Sequence, residues 1–174
     1  MTVAFEKKST TPFASAGAKG IAFVAIACIW CALDQFSKSF FADMQPGGII
    51  AGPFLGLFDI RLVYNTGGAW GIFSGNTWGL GVFSVIVCIV LTAYFIVTIR
   101  SISLAQTLGL ALVVAGGAGN AIDRFLQGFV TDFIEFSFMD FPVFNVADIG
   151  VTCGFVIFMV AMLVEMRNEG ENRA

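Results

Sequence analysis

The sequence predicts an integral membrane protein of mainly α class: a four-transmembrane-helix bundle with a small extracytoplasmic β-sheet and loop region. Three observations predict it. Of 174 residues, 57% are hydrophobic and only 12% charged, whereas a soluble domain carries roughly 25% charged residues. The mean hydropathy is +0.88, and 20 residues are Phe, which points to an outer surface facing lipid. Four apolar stretches reach the roughly 20 residues that a helix needs to cross a bilayer.

Residues 1–19 are polar and small, with Glu6, Lys7, Lys8 and Lys19, and read as a flexible cytoplasmic tail. The first helix is expected at about 20–41. It is too long for a signal-peptide core, and no small-residue cleavage site with a mature domain follows it. The connection 42–78 contains Phe58, Ile60, Leu62 and Tyr64 alternating with Asp59, Arg61, Val63 and Asn65, a period of two that predicts a half-buried strand. Pro46-Gly47-Gly48 and Thr66-Gly67-Gly68 bracket it as turn signals. Helix two, about 79–99, is uncharged. Helix three, about 102–121, carries Ala111, Ala115 and Gly119 as a stripe of small residues, the means by which helices pack closely in lipid. The connection 122–145 is rich in Phe and is expected to dip into the membrane interface. Helix four is expected at about 146–164, closing a four-helix membrane domain of 20–166 before a cytoplasmic tail at 167–174.

Four spans put both termini and the 100–102 turn on one side. That side holds Lys7, Lys8, Lys19, Arg100, Arg167 and Arg173, against Lys38, Arg61 and Arg124 on the other. The excess places both termini in the cytoplasm. Asp34, Asp43, Asp59, Asp123, Asp132, Glu135, Asp140 and Asp148 gather toward the opposite face, so function is expected near the extracytoplasmic side.

There is no histidine. Ser–His–Asp triads, Cys–His pairs and His-ligated zinc or haem are thereby excluded. A net charge of −3 without a basic face argues against nucleic acid. Cys28, Cys31, Cys88 and Cys153 lie in apolar runs, and Cys28-x-x-Cys31 reads as small apolar residues of a helix rather than a redox or metal motif.

Five short motifs place polar groups at the membrane boundary, where they are costly. Asp34-Gln35-Phe36-Ser37-Lys38 sets an acid and a base at i and i+4 on one helix face. In Asn65-Thr66-Gly67-Gly68-Ala69-Trp70 the paired glycines allow close backbone approach. Gly119-Asn120-Ala121-Ile122-Asp123-Arg124 ends the third helix. Val130-Thr131-Asp132-Phe133 holds an acid among apolar neighbours, whose burial disfavours the charge. Asn145-Val146-Ala147-Asp148 opens the fourth helix and reads equally as a capping box. Each acid thus has a structural reading too: an ion pair for Asp34 and Lys38, a cap and salt bridge for Asp123 and Arg124.

Without histidine, the economical peptidase chemistry is two carboxyl groups sharing a proton. Asp148, at a helix N-terminus, suits the ionised base. Asp132, in its aromatic segment, suits the protonated partner.

D-Q-x-S-K, N-T-G-x-A-W, G-N-x-x-D-R, V-x-D-F and F-N-x-A-D, in this order over four spans, resemble the bacterial lipoprotein signal peptidase (signal peptidase II) family across roughly residues 20–165. The resemblance implies an intramembrane aspartyl endopeptidase that removes the signal peptide from diacylglyceryl-modified prolipoproteins before the lipidated cysteine. It implies Asp132 and Asp148 as the catalytic pair. Asp34, Lys38, Asn65, Gly67, Gly119, Asn120, Asp123, Arg124, Asn145 and Ala147 are implied as substrate-binding or supporting residues. Asp123 is the rival for the first catalytic place; adjacent Arg124 is expected to neutralise it. No metal or organic cofactor is implied. The implied partners are membrane lipids, the lipid-modified prolipoprotein and cyclic peptide antibiotics such as globomycin, with a monomer expected as the working unit. Two other classes remain open: a small proton- or ion-coupled transporter, since intramembrane acids also mark ion pathways, and a non-catalytic assembly subunit.

Overall fold

A computed structural model describes residues 14–68 and 72–171. Its elements are α1 (Ala16–Ser39), β1 (Ile49–Phe54), β2 (Phe58–Asn65), α2 (Thr77–Thr98), α3 (Leu104–Leu126), β3 (Val130–Phe136) and α4 (Val146–Glu171). All four helices are long and apolar enough to span a membrane. The helices start and stop where capping chemistry allows. The Ser15 side chain accepts from Ala18 N, that of Asn76 from Gly79 N, and Ser103 with Gln106 forms a complete capping box, satisfying amides that a helix start leaves bare.

α1 begins at Ala16 rather than at residue 20 and so takes in Lys19, which was expected in a flexible tail; residues 1–13 lie outside the described residues. Lys19 is buried and its ammonium donates to the carbonyls of Ile99 (3.1 Å) and Ile102. It thereby satisfies the ends of the α2–α3 turn that the helices cannot satisfy themselves. α4 continues to Glu171, past the expected 164 and into the segment read as a tail.

α3 is the central helix, packed against α1, α2 and α4. Ala111, Ala115 and Gly119 are buried on it, as the stripe of small residues predicts. Its tightest seam is with α4: a Cβ on Gly109 would stand 2.7 Å from the Gly154 carbonyl oxygen, and one on Gly154 2.6 Å from that of Gly109. The outward surfaces of α1, α2 and α4 expose Leu, Ile, Val and Phe, the face a bilayer covers.

β1, β2 and β3 form an antiparallel sheet in that order. The strand expected around residues 58–65 is present, but its burial does not alternate. Asp59 and Leu62 are the buried residues of β2, three apart, because the register with β3 shifts between Ile60 and Val63. Such a bulge swaps the faces of a strand. The aromatic connection 122–145 was expected to be a loop. Instead α3 extends to Leu126 and β3 pairs with β2, with Phe144 bridging Ile134 beyond it. Asp123 and Arg124 are therefore helical and Asp132 sits in a strand.

Candidate active site

The C-terminal ends of α1 and α3, the N-terminal end of α4 and the strand β3 meet at one end of the bundle. Side chains and backbone groups from all five motifs converge there into one hydrogen-bonded network around a buried cation. Lys38 is buried and donates to Asp34 Oδ2 (2.8 Å) and Asn120 Oδ1 (3.0 Å), and pairs with Asp123 Oδ2 at 3.0 Å. An ammonium has three N–H donors, and all three are spent.

Asp34 uses its other oxygen to accept from the amide of Ala147 (2.9 Å), tying α1 to the first turn of α4. Gly119 has to be glycine for this, since a Cβ there would collide with the Asp34 carboxylate. Asp123 is fully buried and also accepts from Thr131 N (3.1 Å) and Gln35 Nε2 (3.0 Å). Its neutralising partner is Lys38, distant in sequence on α1, and not the adjacent Arg124 that was expected to serve.

Asn145 joins the two remaining acids. Its Nδ2 donates to Asp132 Oδ1 (2.7 Å) and Asn120 Oδ1 (3.0 Å), and lies 3.4 Å from the Thr131 carbonyl. Its amide donates to Asp148 Oδ2 (3.1 Å), while its Oδ1 accepts from Asp148 N (3.0 Å). The capping box foreseen for Asn145 and Asp148 is thus present, and the same two residues belong to the site. Asp148 Oδ1 accepts from Asn120 Nδ2 (2.8 Å), and Asp132 Oδ2 from Asn65 Nδ2 (2.9 Å). Asn65 is itself fixed by the Gly67 amide, 2.9 Å from its Oδ1. Arg124 Nη2 donates to the Gly67 carbonyl (3.2 Å), and its buried Nε has no partner among the described residues. Ala69 and Trp70 of the same motif lie outside the described residues.

Asp132 and Asp148 therefore flank one asparagine and line one cavity of about 470 Å³, together with Asn65, Asn120 and Arg124; Phe136, Phe141 and Phe144 wall its apolar side. Asp34, Lys38 and Asp123 stand behind this cavity without lining it. Burial, with the charge of Asp148 acting in the same direction, raises the Asp132 carboxyl from 3.8 to about 7 against the donors Asn65 and Asn145. Asp132 thus keeps a proton to neutral pH beside a second carboxyl group, the condition for a shared-proton pair.

Gln35 and Thr131 were not singled out by the sequence. Gln35 Nε2 reaches Asp34 Oδ2, the Gly119 carbonyl and Asp123 Oδ1 at 3.0–3.2 Å; its place beside Asp34 in the first motif was the available signal. Trp30, whose Nε1 donates to the Val146 carbonyl (3.0 Å) and against which Gly150 is packed, had none. Among the described residues no three Cys, Asp or Glu side chains converge as a metal site would need.

The family model described as signal peptidase (SPase) II matches residues 26–164. The chain is 40% identical over 109 residues to a lipoprotein signal peptidase of Lactococcus lactis subsp. cremoris, covering 63% of this chain and 71% of that one. It is 37% identical over 147 residues to a lipoprotein signal peptidase of Gloeobacter violaceus, covering 84% of each. Among solved structures it resembles a bacterial membrane enzyme determined by the in meso method, with a TM-score of 0.74 and 32% identity over 84% of this chain and 90% of that chain.

Proposed function

The chain belongs to the signal peptidase II family and is a multi-pass bacterial membrane peptidase that cleaves lipoprotein signal peptides, and on that premise we propose that it works as an aspartic enzyme with Asp132 and Asp148 as its catalytic pair. The observation that carries this reading is Asn145, which holds one carboxylate with its side chain and the other with its backbone at the wall of a single cavity.

Asp148, at the N-terminus of α4, is the ionised member, because the helix dipole favours its anion. It takes a proton from a water held between the carboxyl groups as the water oxygen attacks the scissile carbonyl carbon. Asp132 keeps its proton to about pH 7 and gives it to the carbonyl oxygen as that oxygen gains charge. Collapse of the tetrahedral intermediate breaks the C–N bond. The amide nitrogen leaves with a proton returned through the pair, releasing a carboxylic acid on the signal peptide and an amine on the lipoprotein.

The bond cut is that before the lipidated cysteine of a diacylglyceryl-modified prolipoprotein. The apolar cavity wall and the lipid-facing helices support a substrate that never leaves the bilayer. Both termini lie in the cytoplasm, and the site at the extracytoplasmic face, where water enters. Cyclic peptide antibiotics such as globomycin bind in the same cavity. A transporter is not favoured: the aspartates gather at one end of the bundle, and α2 carries no charged residue, so no polar path crosses the membrane.

The test is Asp132→Asn and Asp148→Asn, made separately and assayed on a lipid-modified precursor in proteoliposomes. Each is expected to lose about 10²- to 10⁴-fold in kcat with the fold retained. Cleavage at the wild-type rate in both would remove the pair.

A further inference from the structure

Asp132 and Asp148 each accept two hydrogen bonds, so counting donors does not say which one is ionised. The quality of those donors does. Asn145 Nδ2 has only two N–H groups for three acceptors, Asp132 Oδ1, Asn120 Oδ1 and the Thr131 carbonyl, so what Asp132 receives is shared. The amide Nδ2 of Asn120 has a single acceptor, Asp148 Oδ1, at 2.8 Å. Asn120 can present it only this way round. Its Oδ1 lies 3.0 Å from the Lys38 ammonium, which can donate but never accept. A cation drawing on the amide oxygen also polarises the amide and strengthens its N–H as a donor.

We propose that Lys38 is a positioning residue that selects the base of the catalytic pair: acting through the Asn120 amide, it directs a polarised N–H at Asp148 and so holds that carboxylate ionised. Lys38 does not line the cavity and reaches the pair by hydrogen bonds through Asn120. The inference rests on the aspartic pair proposed above. The charged groups around Asp148 are Asp34 and Lys38 of α1, Asp123 and Arg124 of α3 and Asp132 of β3; α2 contributes none.

The test reads the pH dependence of kcat. Asn120→Asp keeps the shape and all three acceptors of Lys38 but replaces the N–H that faces Asp148 with a carboxylate oxygen. Its acid limb is expected to move up by about one pH unit or more, a tenfold loss of kcat per unit on that limb, with KM little changed. Asp34→Asn with Lys38→Met removes the cation without stranding its nearest carboxylate, and is expected to move the limb the same way. Asp34→Asn alone, which keeps Lys38 on Asn120 and removes a negative charge near Asp148, is expected not to move the limb up. If Lys38 only supports the fold, the double variant loses activity evenly across pH in step with thermal stability and its limb stays in place, which overturns the proposal; an unmoved limb in Asn120→Asp overturns it as well. That result stands even where the double variant fails to fold. Failure of the pair itself shows differently: a wild-type profile without two limbs, or cleavage surviving in Asp148→Asn.

Discussion

Asp132 is where burial and chemistry pull in the same direction. In the unfolded chain its carboxyl ionises near 3.8, and in the folded protein near 7. Between those values the folded state holds a proton that the unfolded state has lost, so stability falls as pH rises through that window. The penalty is absent below about pH 3.8 and complete above about 7. Asp132→Asn is therefore expected to raise the melting temperature above pH 7, and the gain to vanish toward pH 4; thermal unfolding in detergent across pH reads both. An equal shift at every pH would mean the carboxyl is not perturbed. The activity of the wild type has the complementary dependence, declining above about pH 7 as Asp132 surrenders its proton. Function thus holds at this position a residue that costs stability at neutral pH, which is where a site and a core differ.

At the scale of elements, two contacts fix how the helices meet. Lys19 of α1 fills the carbonyls that close the α2–α3 turn, and its loss in Lys19→Met leaves buried acceptors unpaired. A cost of about 1–3 kcal/mol per unsatisfied group follows, measurable as a lower melting temperature with the pH profile of cleavage unchanged in shape. The α3–α4 seam is the second contact. Gly154 and Gly109 bring the two backbones together, one and a half turns below the first turn of α4 that bears Asp148. Gly154→Leu has to part the helices or strain them, at about 1–3 kcal/mol for overpacking. Because Asp148 rides on α4 and Asn120 on α3, the same substitution is expected to lower kcat more than it raises KM. Steady-state kinetics on a lipid-modified precursor separate that outcome from simple unfolding.

For the whole molecule, the end of the bundle that bears the sheet also bears the acids, and the opposite end bears Arg100 and Arg167. In a cysteine-free background, Asp43→Cys is expected to react with a membrane-impermeant maleimide added outside the cytoplasmic membrane, and Ser101→Cys only after the cells are opened; the reverse pattern would invert the topology. The spans and the five motifs were legible in the sequence because each depends on residues close together in the chain: hydropathy over 20 residues, Asp34 and Lys38 one turn apart, Asn145 capping Asp148. Three things were not. β3 hid in an aromatic segment, since its strand character comes from pairing with β2 some 70 residues earlier. The bulge that buries Asp59 in place of Phe58 is a register choice, invisible to a period of two. The partner of Asp123 is Lys38, 85 residues away, and not the neighbouring Arg124. The sequence by itself determined that this chain crosses a membrane four times and carries unpaired-looking acids at one boundary, because lipid taxes every polar group wherever it stands. Only the tertiary structure decided which acids are neutralised behind the cavity and which two face it, because that depends on which side chains distant in sequence come within hydrogen-bonding reach.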